Sequence, residues 1–136
     1  FTGDGAFGFN AMELDTAVRN KCNVCIIISN NAAWSIETHD QKLNYGNRVY
    51  GTSLRASNYA KLAEGLGCKS YRIERPDEFK NKLKEALENT PSVIDVTTSS
   101  LALSSDAKKG LGLVPDYQAL EDWDELEKTY RKKNKQ

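Results

Sequence analysis

The spacing of hydrophobic positions changes in a regular order along this chain. Over 10–21 (NAMELDTAVRNK) Ala11, Leu14, Ala17 and Val18 fall on one stripe, which predicts an amphipathic helix. Residues 23–29 (NVCIIIS) form an unbroken β-branched run, the pattern of a strand covered on both faces of a parallel sheet. A second helix is predicted over 57–67, with Ser57 as its N-cap and Gly67 at its end. The strand KSYRI (69–73) follows. A third helix is predicted over 76–89, with Pro76 in its first turn and Phe79, Leu83 and Leu87 four apart, and the strand SVIDVTT (92–98) closes the series.

Strand, helix, strand, helix, strand in this order predicts an α/β fold of three layers, a mainly parallel, Rossmann-like sheet with helices on both faces. Right-handed crossovers then collect the loops that follow the strands on one edge of the sheet, where ligands bind in such folds. Two loops on that edge stand out, Gly3-Asp4-Gly5 and Ser29-Asn30-Asn31-Ala32-Ala33-Trp34. A glycine-bracketed acid that leads into a helix ordinarily follows a strand, so Phe1 and Thr2 are expected to be the end of a first strand cut short.

Composition narrows the picture. A chain of 136 residues with 39% apolar and 28% charged positions suits one α/β domain. We expect residues 1–98 to form the binding domain and 99–136 an arm of the same domain. Nineteen basic and nineteen acidic side chains leave no net field to draw nucleic acid or an anionic membrane surface. No apolar run approaches the roughly 20 residues that cross a bilayer, and the first residues carry no secretory pattern. A cytoplasmic protein that binds neither nucleic acid nor membrane is therefore expected. Of three cysteines, Cys22 and Cys25 form a C-x-x-C, but Cys25 opens the apolar run and no second pair or nearby histidine completes a zinc site.

The two loops carry the candidate chemistry. With Asp4 at the end of the first strand and Asn30 and Asn31 at the end of the next, a carboxylate and an amide oxygen converge on one rim across 27 positions of sequence. Such a pair suits Mg²⁺, a hard cation that takes oxygen ligands and keeps places for phosphate oxygens. Glycines allow close approach of a phosphate, and the N-terminus of the following helix adds its dipole. A metal-bridged diphosphate fits these groups. Each loop alone is also an ordinary turn.

Gly3-Asp4-Gly5 and Asn30-Asn31, with 24 residues (6–29) between Gly5 and Asn30, resemble the cofactor motif of the thiamine diphosphate-dependent enzymes. The helix and the strand inside that gap are similar to the family's pattern, and the likeness extends over most of the chain, as the C-terminal diphosphate-binding domain. This resemblance implies that Asp4, the side chain of Asn31 and the main-chain carbonyl of Ala33 hold Mg²⁺. It also implies that Gly3, Gly5, Ala6, Asn31, Ala33 and Trp34 lie against the thiamine diphosphate cofactor. The stretch NNAAWSIETHDQ looks closest to acetolactate synthase-like proteins and 2-oxoacid decarboxylases, with Ser35-Ile36-Glu37 in register with an active-site glutamate of the latter.

Glu37 accordingly reads as an acid/base near the bound intermediate, or as an exposed carboxylate at the start of a helix. Trp34 reads as a wall of the pocket or as packing. His39, the only histidine, is a candidate for proton transfer because its ordinary pKa is near neutrality. The resemblance further implies a 2-oxoacid or aldehyde substrate. It implies a homodimer or tetramer in which the pyrimidine-binding domain of a partner subunit supplies the activating glutamate. The 136-residue chain alone is then expected not to turn over substrate. Carboligation of acetolactate synthase type is the leading reading. Non-oxidative decarboxylation or carbon–carbon lysis is one alternative, and a non-catalytic nucleotide-binding α/β module is another. Beyond residue 98 a small polar stretch, a solvated Lys108-Lys109 pair, a charged helical segment and a frayed end are expected.

Overall fold

A computed structural model describes residues 1–102 and 121–133. Phe1–Ala33 with Leu54–Ser100 forms one compact unit, and Trp34–Ser53 with the described residues of 101–136 a second.

The first unit holds a four-stranded parallel sheet. Its strands are β1 (Thr2–Gly3), β2 (Cys25–Asn30), β3 (Lys69–Ile73) and β4 (Ser92–Thr97), in the spatial order β1-β2-β4-β3. Helices α1 (Asp4–Asn10), α2 (Glu13–Arg19) and α4 (Tyr59–Gly65) cover one face, where Phe7, Ala11, Leu14 and Ala63 pack with Ile28 and Val93. Helix α5 (Phe79–Glu88) covers the other, where Ala86, Phe79 and Leu83 pack with Ile73, Ile94, Ile27 and Cys25. Strand parity produces this division: Ile26 and Ile28 face one way and Cys25 and Ile27 the other, so the continuous run feeds both cores. The chain steps outward from β1 to β2 to β3 and back to β4, and a reversal of direction sends the last crossover helix to the opposite face. The expected three-layer fold is thus present, with Lys69–Ile73 at its expected bounds.

Three local expectations are corrected. The helix expected over 10–21 is two helices. The first begins at Asp4, and the chain tightens at Ala11 and Met12, whose carbonyls accept from Leu14 and Asp15 three residues on. Gly3-Asp4-Gly5 is therefore the strand end and first helical turn rather than a free turn, and it lets Phe7, Ala11 and Leu14 share the buried face. The N-cap of α4 is Asn58, one residue after the expected Ser57, and its side chain accepts from Lys61 N at 2.9 Å. Pro76 starts a 3₁₀ turn (Pro76–Glu78) that leads into α5 at Phe79. Gly67 does close the α4 region: it has φ +88°, and a Cβ there would touch Val18 Cγ1 at 3.4 Å. Gly67→Ala is expected to cost about 1 kcal/mol, since alanine is strained at positive φ, and urea unfolding measures it.

The second unit contains α3 (Ser35–Asn44) and α6 (Glu121–Lys133). Trp34 N donates to Thr52 O at 2.8 Å, and Gln41 holds the Tyr50 backbone at both ends, accepting from its N–H at 2.7 Å and donating to its carbonyl at 3.2 Å. The Arg48 guanidinium stacks 4.0 Å from the centre of the Tyr130 ring. Helix α6 is the charged helical segment expected late in the chain. Lys108 and Lys109 lie outside the described residues. Among the described residues no helix is long and apolar enough to cross a membrane.

Candidate functional site

Parallel pairing of Thr2 with Ile28 and Gly3 with Ser29 fixes what lies at the carboxyl edge of the first sheet. One step beyond these pairs stand Asp4, which opens α1, and Asn30, which ends β2; Asn31, Ala32 and Ala33 follow. The Gly3-Asp4-Gly5 and Asn-Asn segments therefore meet at one rim, as the sequence spacing requires. Ala32 has φ +55°, a left-handed turn, and its carbonyl accepts from Leu54 N at 2.8 Å. That turn carries the chain away from the sheet directly after Asn31.

Asp4 is the unusual group. Its side chain is 2% exposed, it sits in the first turn of α1, and Oδ2 has no hydrogen-bond partner. A buried acceptor left in this state costs on the order of 1–3 kcal/mol. The helix dipole favours a negative charge at this position but supplies only part of what water would. The Asn31 side-chain oxygen is also withdrawn from solvent. At Gly3 an added Cβ would meet nothing within 4 Å, so packing within the chain does not demand glycine and space is left open beside Asp4. A bound cation with phosphate oxygens would account for both features. The oxygens on offer, carboxylate, amide and main-chain carbonyl, are the donors that Mg²⁺ takes. Among the described residues no cluster of three or more His, Cys, Asp or Glu side chains forms. Cys22 is exposed, Cys25 half-buried and Cys68 buried, and all are free thiols.

Asn30 has a different environment from Asn31. Its Nδ2 donates to Asp95 Oδ1 at 2.9 Å and to Ser57 O at 2.9 Å, its Oδ1 accepts from Ala32 N at 3.4 Å, and its own carbonyl accepts from Thr98 N at 2.8 Å. Asp95 lies in the middle of β4 and is fully buried. Besides Asn30 it accepts from Tyr59 N at 2.8 Å and from Arg72 Nη1 at 2.6 Å. Arg72 also donates from Nη1 to Ser57 O at 3.3 Å and from Nε to Glu74 at 3.3 Å. The node ties β2, β3, β4 and the start of α4 together beside the Asp4 rim. Tyr59 meets Phe7 edge-on at 5.4 Å between centroids. Burial first, and then the charges of Asp4 and Asp95, push its phenol above its ordinary pKa, while a hydrogen bond with Ser57 acts the other way.

Asp95, Arg72 and Tyr59 were not singled out from the sequence. A signal for Asp95 was present: it interrupts the apolar stretch Val93-Ile94-Asp95-Val96, and a charge on a strand buried on both faces needs a partner. The parallel register sets Arg72 opposite Asp95.

The other expected site residues are distributed as follows. Gly3, Gly5 and Ala6 stand with Asp4 at the β1–α1 junction, Gly5 buried and Ala6 exposed. Trp34, Glu37 and His39 belong to the second unit. Trp34 is half-buried and precedes α3, and Glu37 is exposed in the first turn of that helix. Glu37 lines an open depression of about 420 Å³ with Asp40, Gln41, Tyr45, Arg48 and Tyr50. His39 is half-buried, and its Nε2 is enclosed without a hydrogen-bond partner.

Residues 1–96 match the family model for the thiamine pyrophosphate enzyme, C-terminal TPP binding domain. The chain belongs to this family. Its cofactor is thiamine diphosphate, and the matched span runs from the β1–α1 rim to the end of β4. Among its relatives, "Probable acetolactate synthase" of Mycobacterium bovis is 35% identical over 97 residues, 71% of this chain and 18% of its own length. "Probable acetolactate synthase large subunit" of Methanocaldococcus jannaschii is 39% identical over 116 residues, 84% of this chain and 18% of that protein. "2-Hydroxyacyl-CoA lyase 2" of Bos taurus is 38% identical over 76 residues, 56% of this chain and 12% of that protein. The chain thus spans about a fifth of the length of the acetolactate synthases it matches. In fold it is similar to the X-ray structure of a Mycobacterium smegmatis protein assigned to the thiamin diphosphate-dependent enzymes. That likeness has a TM-score of 0.59 and 24% identity, covering 72% of this chain and 17% of the other.

Proposed function

We propose that this chain is the metal- and diphosphate-binding part of a thiamine diphosphate-dependent enzyme that joins 2-oxoacid-derived units, as acetolactate synthases do. The observation that carries the metal assignment is the buried Asp4 carboxylate, whose Oδ2 has no partner, on the rim it shares with Asn31. Asp4, the Asn31 side chain and the Ala33 carbonyl hold Mg²⁺, and Gly3, Gly5, Ala6 and Asn31 face the diphosphate. When bound, thiamine diphosphate would supply nucleophilic and electron-sink chemistry toward a substrate carbonyl. This chain's own part is to fix the diphosphate end by charge and by the α1 N-terminus, so that the reactive end is presented in one orientation. Glu37 and His39 are the groups of α3 assigned to proton transfer, and Trp34 to the wall of the cofactor pocket.

Substrate chemistry, the pyrimidine-binding domain of a partner subunit and a dimeric or tetrameric state belong to the whole protein, of which the chain covers the fraction seen in its relatives. A carbon–carbon lyase outcome is the second reading, favoured by the likeness to 2-hydroxyacyl-CoA lyase 2. Titration calorimetry of the 136-residue chain with thiamine diphosphate is expected to show weak binding that requires Mg²⁺, with no decarboxylation of 2-oxoacids. Binding that ignores Mg²⁺ would instead favour a nucleotide-type module, and turnover by the chain alone would overturn the assignment of the remaining machinery to other parts of the protein.

A further inference from the structure

The paired asparagines at the rim have unequal environments, and Asp95 causes the difference. A carboxylate offers only acceptors, so the fully buried Asp95 can face Asn30 only through the amide Nδ2. A second acceptor, Ser57 O, fixes Nδ2 from another side. Asn30 Oδ1 is thereby turned toward Ala32 N, at the left-handed turn that separates Asn31 from Ala33. We propose that Asp95 is a positioning residue for the metal site: by dictating the amide orientation of Asn30 it sets the loop that presents Asn31 and Ala33, without itself touching metal or cofactor.

Arg72 Nη1, at 2.6 Å, and Tyr59 N, at 2.8 Å, hold Asp95 in turn and link the loop to β3 and to the start of α4. The chemistry of Asp95→Asn follows from this arrangement. Tyr59 N and Arg72 Nη1 both donate to Oδ2, so an amide at 95 keeps its oxygen on that side and turns its NH2 toward Asn30 Nδ2. If Asn30 keeps its orientation the bond between residues 95 and 30 is lost; if it flips, Nδ2 opposes the Ala32 N–H, donor against donor, and the bond to the loop is lost, although the side-chain volume at 95 is unchanged.

The inference rests on the metal site proposed at Asp4 and Asn31, and its test separates the two. In the intact protein, Mn²⁺ with thiamine diphosphate replaces Mg²⁺ and is titrated by electron paramagnetic resonance, which requires no turnover. Asp95→Asn is expected to weaken Mn²⁺ binding by about 10- to 100-fold, the range for loss of an outer-shell partner. Asn30→Ser is expected to do the same, and the double variant to be no weaker than the worse single one, because both act through one hydrogen bond. A lowered melting temperature with wild-type Mn²⁺ affinity in Asp95→Asn would show a purely structural role and overturn the proposal. If Asp95→Asn does not fold, unchanged affinity in Asn30→Ser overturns it equally. Asp4→Asn run alongside tests the site itself: unchanged Mn²⁺ affinity there sinks the metal assignment, whatever residue 95 does.

Discussion

Arg72→Met is expected to destabilise the first unit by about 3 kcal/mol, because it leaves the fully buried Asp95 carboxylate without its charged partner. Breaking a buried pair from one side costs about 3–5 kcal/mol, and the low end applies here because two further donors remain and the Arg72 side chain is itself 24% exposed. Methionine keeps much of the aliphatic stem, so lost packing adds little. The control is Arg75→Met. Arg75 pairs with Asp77 at the same 2.6 Å, but both side chains are well exposed, and such a pair contributes at most about 1 kcal/mol. Urea unfolding midpoints of the two variants should therefore separate clearly. Equal midpoints would show that burial of Asp95 does not govern the strength of its ion pair.

Asp4→Ala is expected to move stability and binding in opposite directions. Without metal, removing a buried carboxylate with one unpartnered oxygen relieves a cost of on the order of 1–3 kcal/mol. It also forfeits about 0.3–1 kcal/mol of dipole interaction at the start of α1, for a net gain near 1 kcal/mol. With Mg²⁺, cofactor affinity should fall by more than about 100-fold, beyond the range seen when only an outer-shell partner is lost. The diagnostic is thermal unfolding in two buffers: a melting temperature above wild type in chelator, and no upward shift with Mg²⁺ and thiamine diphosphate. A variant destabilised in both buffers would place Asp4 among ordinary structural acids.

Hydrophobic period was enough to read the sheet and its covering helices, because strands buried on both faces leave unbroken apolar runs and α5 repeats its apolar positions at helical spacing. The Asp4–Asn31 rim was readable for a related reason: in a parallel sheet, consecutive strand ends fall on one edge, so sequence spacing translates into proximity. Helix boundaries were harder. The glycines at 3 and 5 looked like turn residues, yet helix starts at Asp4, because burial of Phe7 outweighs the helical cost of glycine. Ser57 looked like a cap, but the helix starts one residue later and Asn58 caps it, while the Ser57 backbone carbonyl accepts from Asn30 and Arg72. Such choices depend on which tertiary partner claims a group, and periodicity does not record that.

Asn30 is the last residue of β2 and shares the face of Ile26 and Ile28, whereas Asn31 is the first residue beyond the strand. Two chemically identical neighbours are thus distinguished only by counting parity along β2. Deleting one residue anywhere in Cys25–Ser29 would shift both by one station, sending the second asparagine inward to Asp95 and offering the following alanine to the rim. The spacing between Gly3-Asp4-Gly5 and the asparagine pair is therefore a phase as much as a distance, and it tolerates changes in the loop before β2 far better than changes within it.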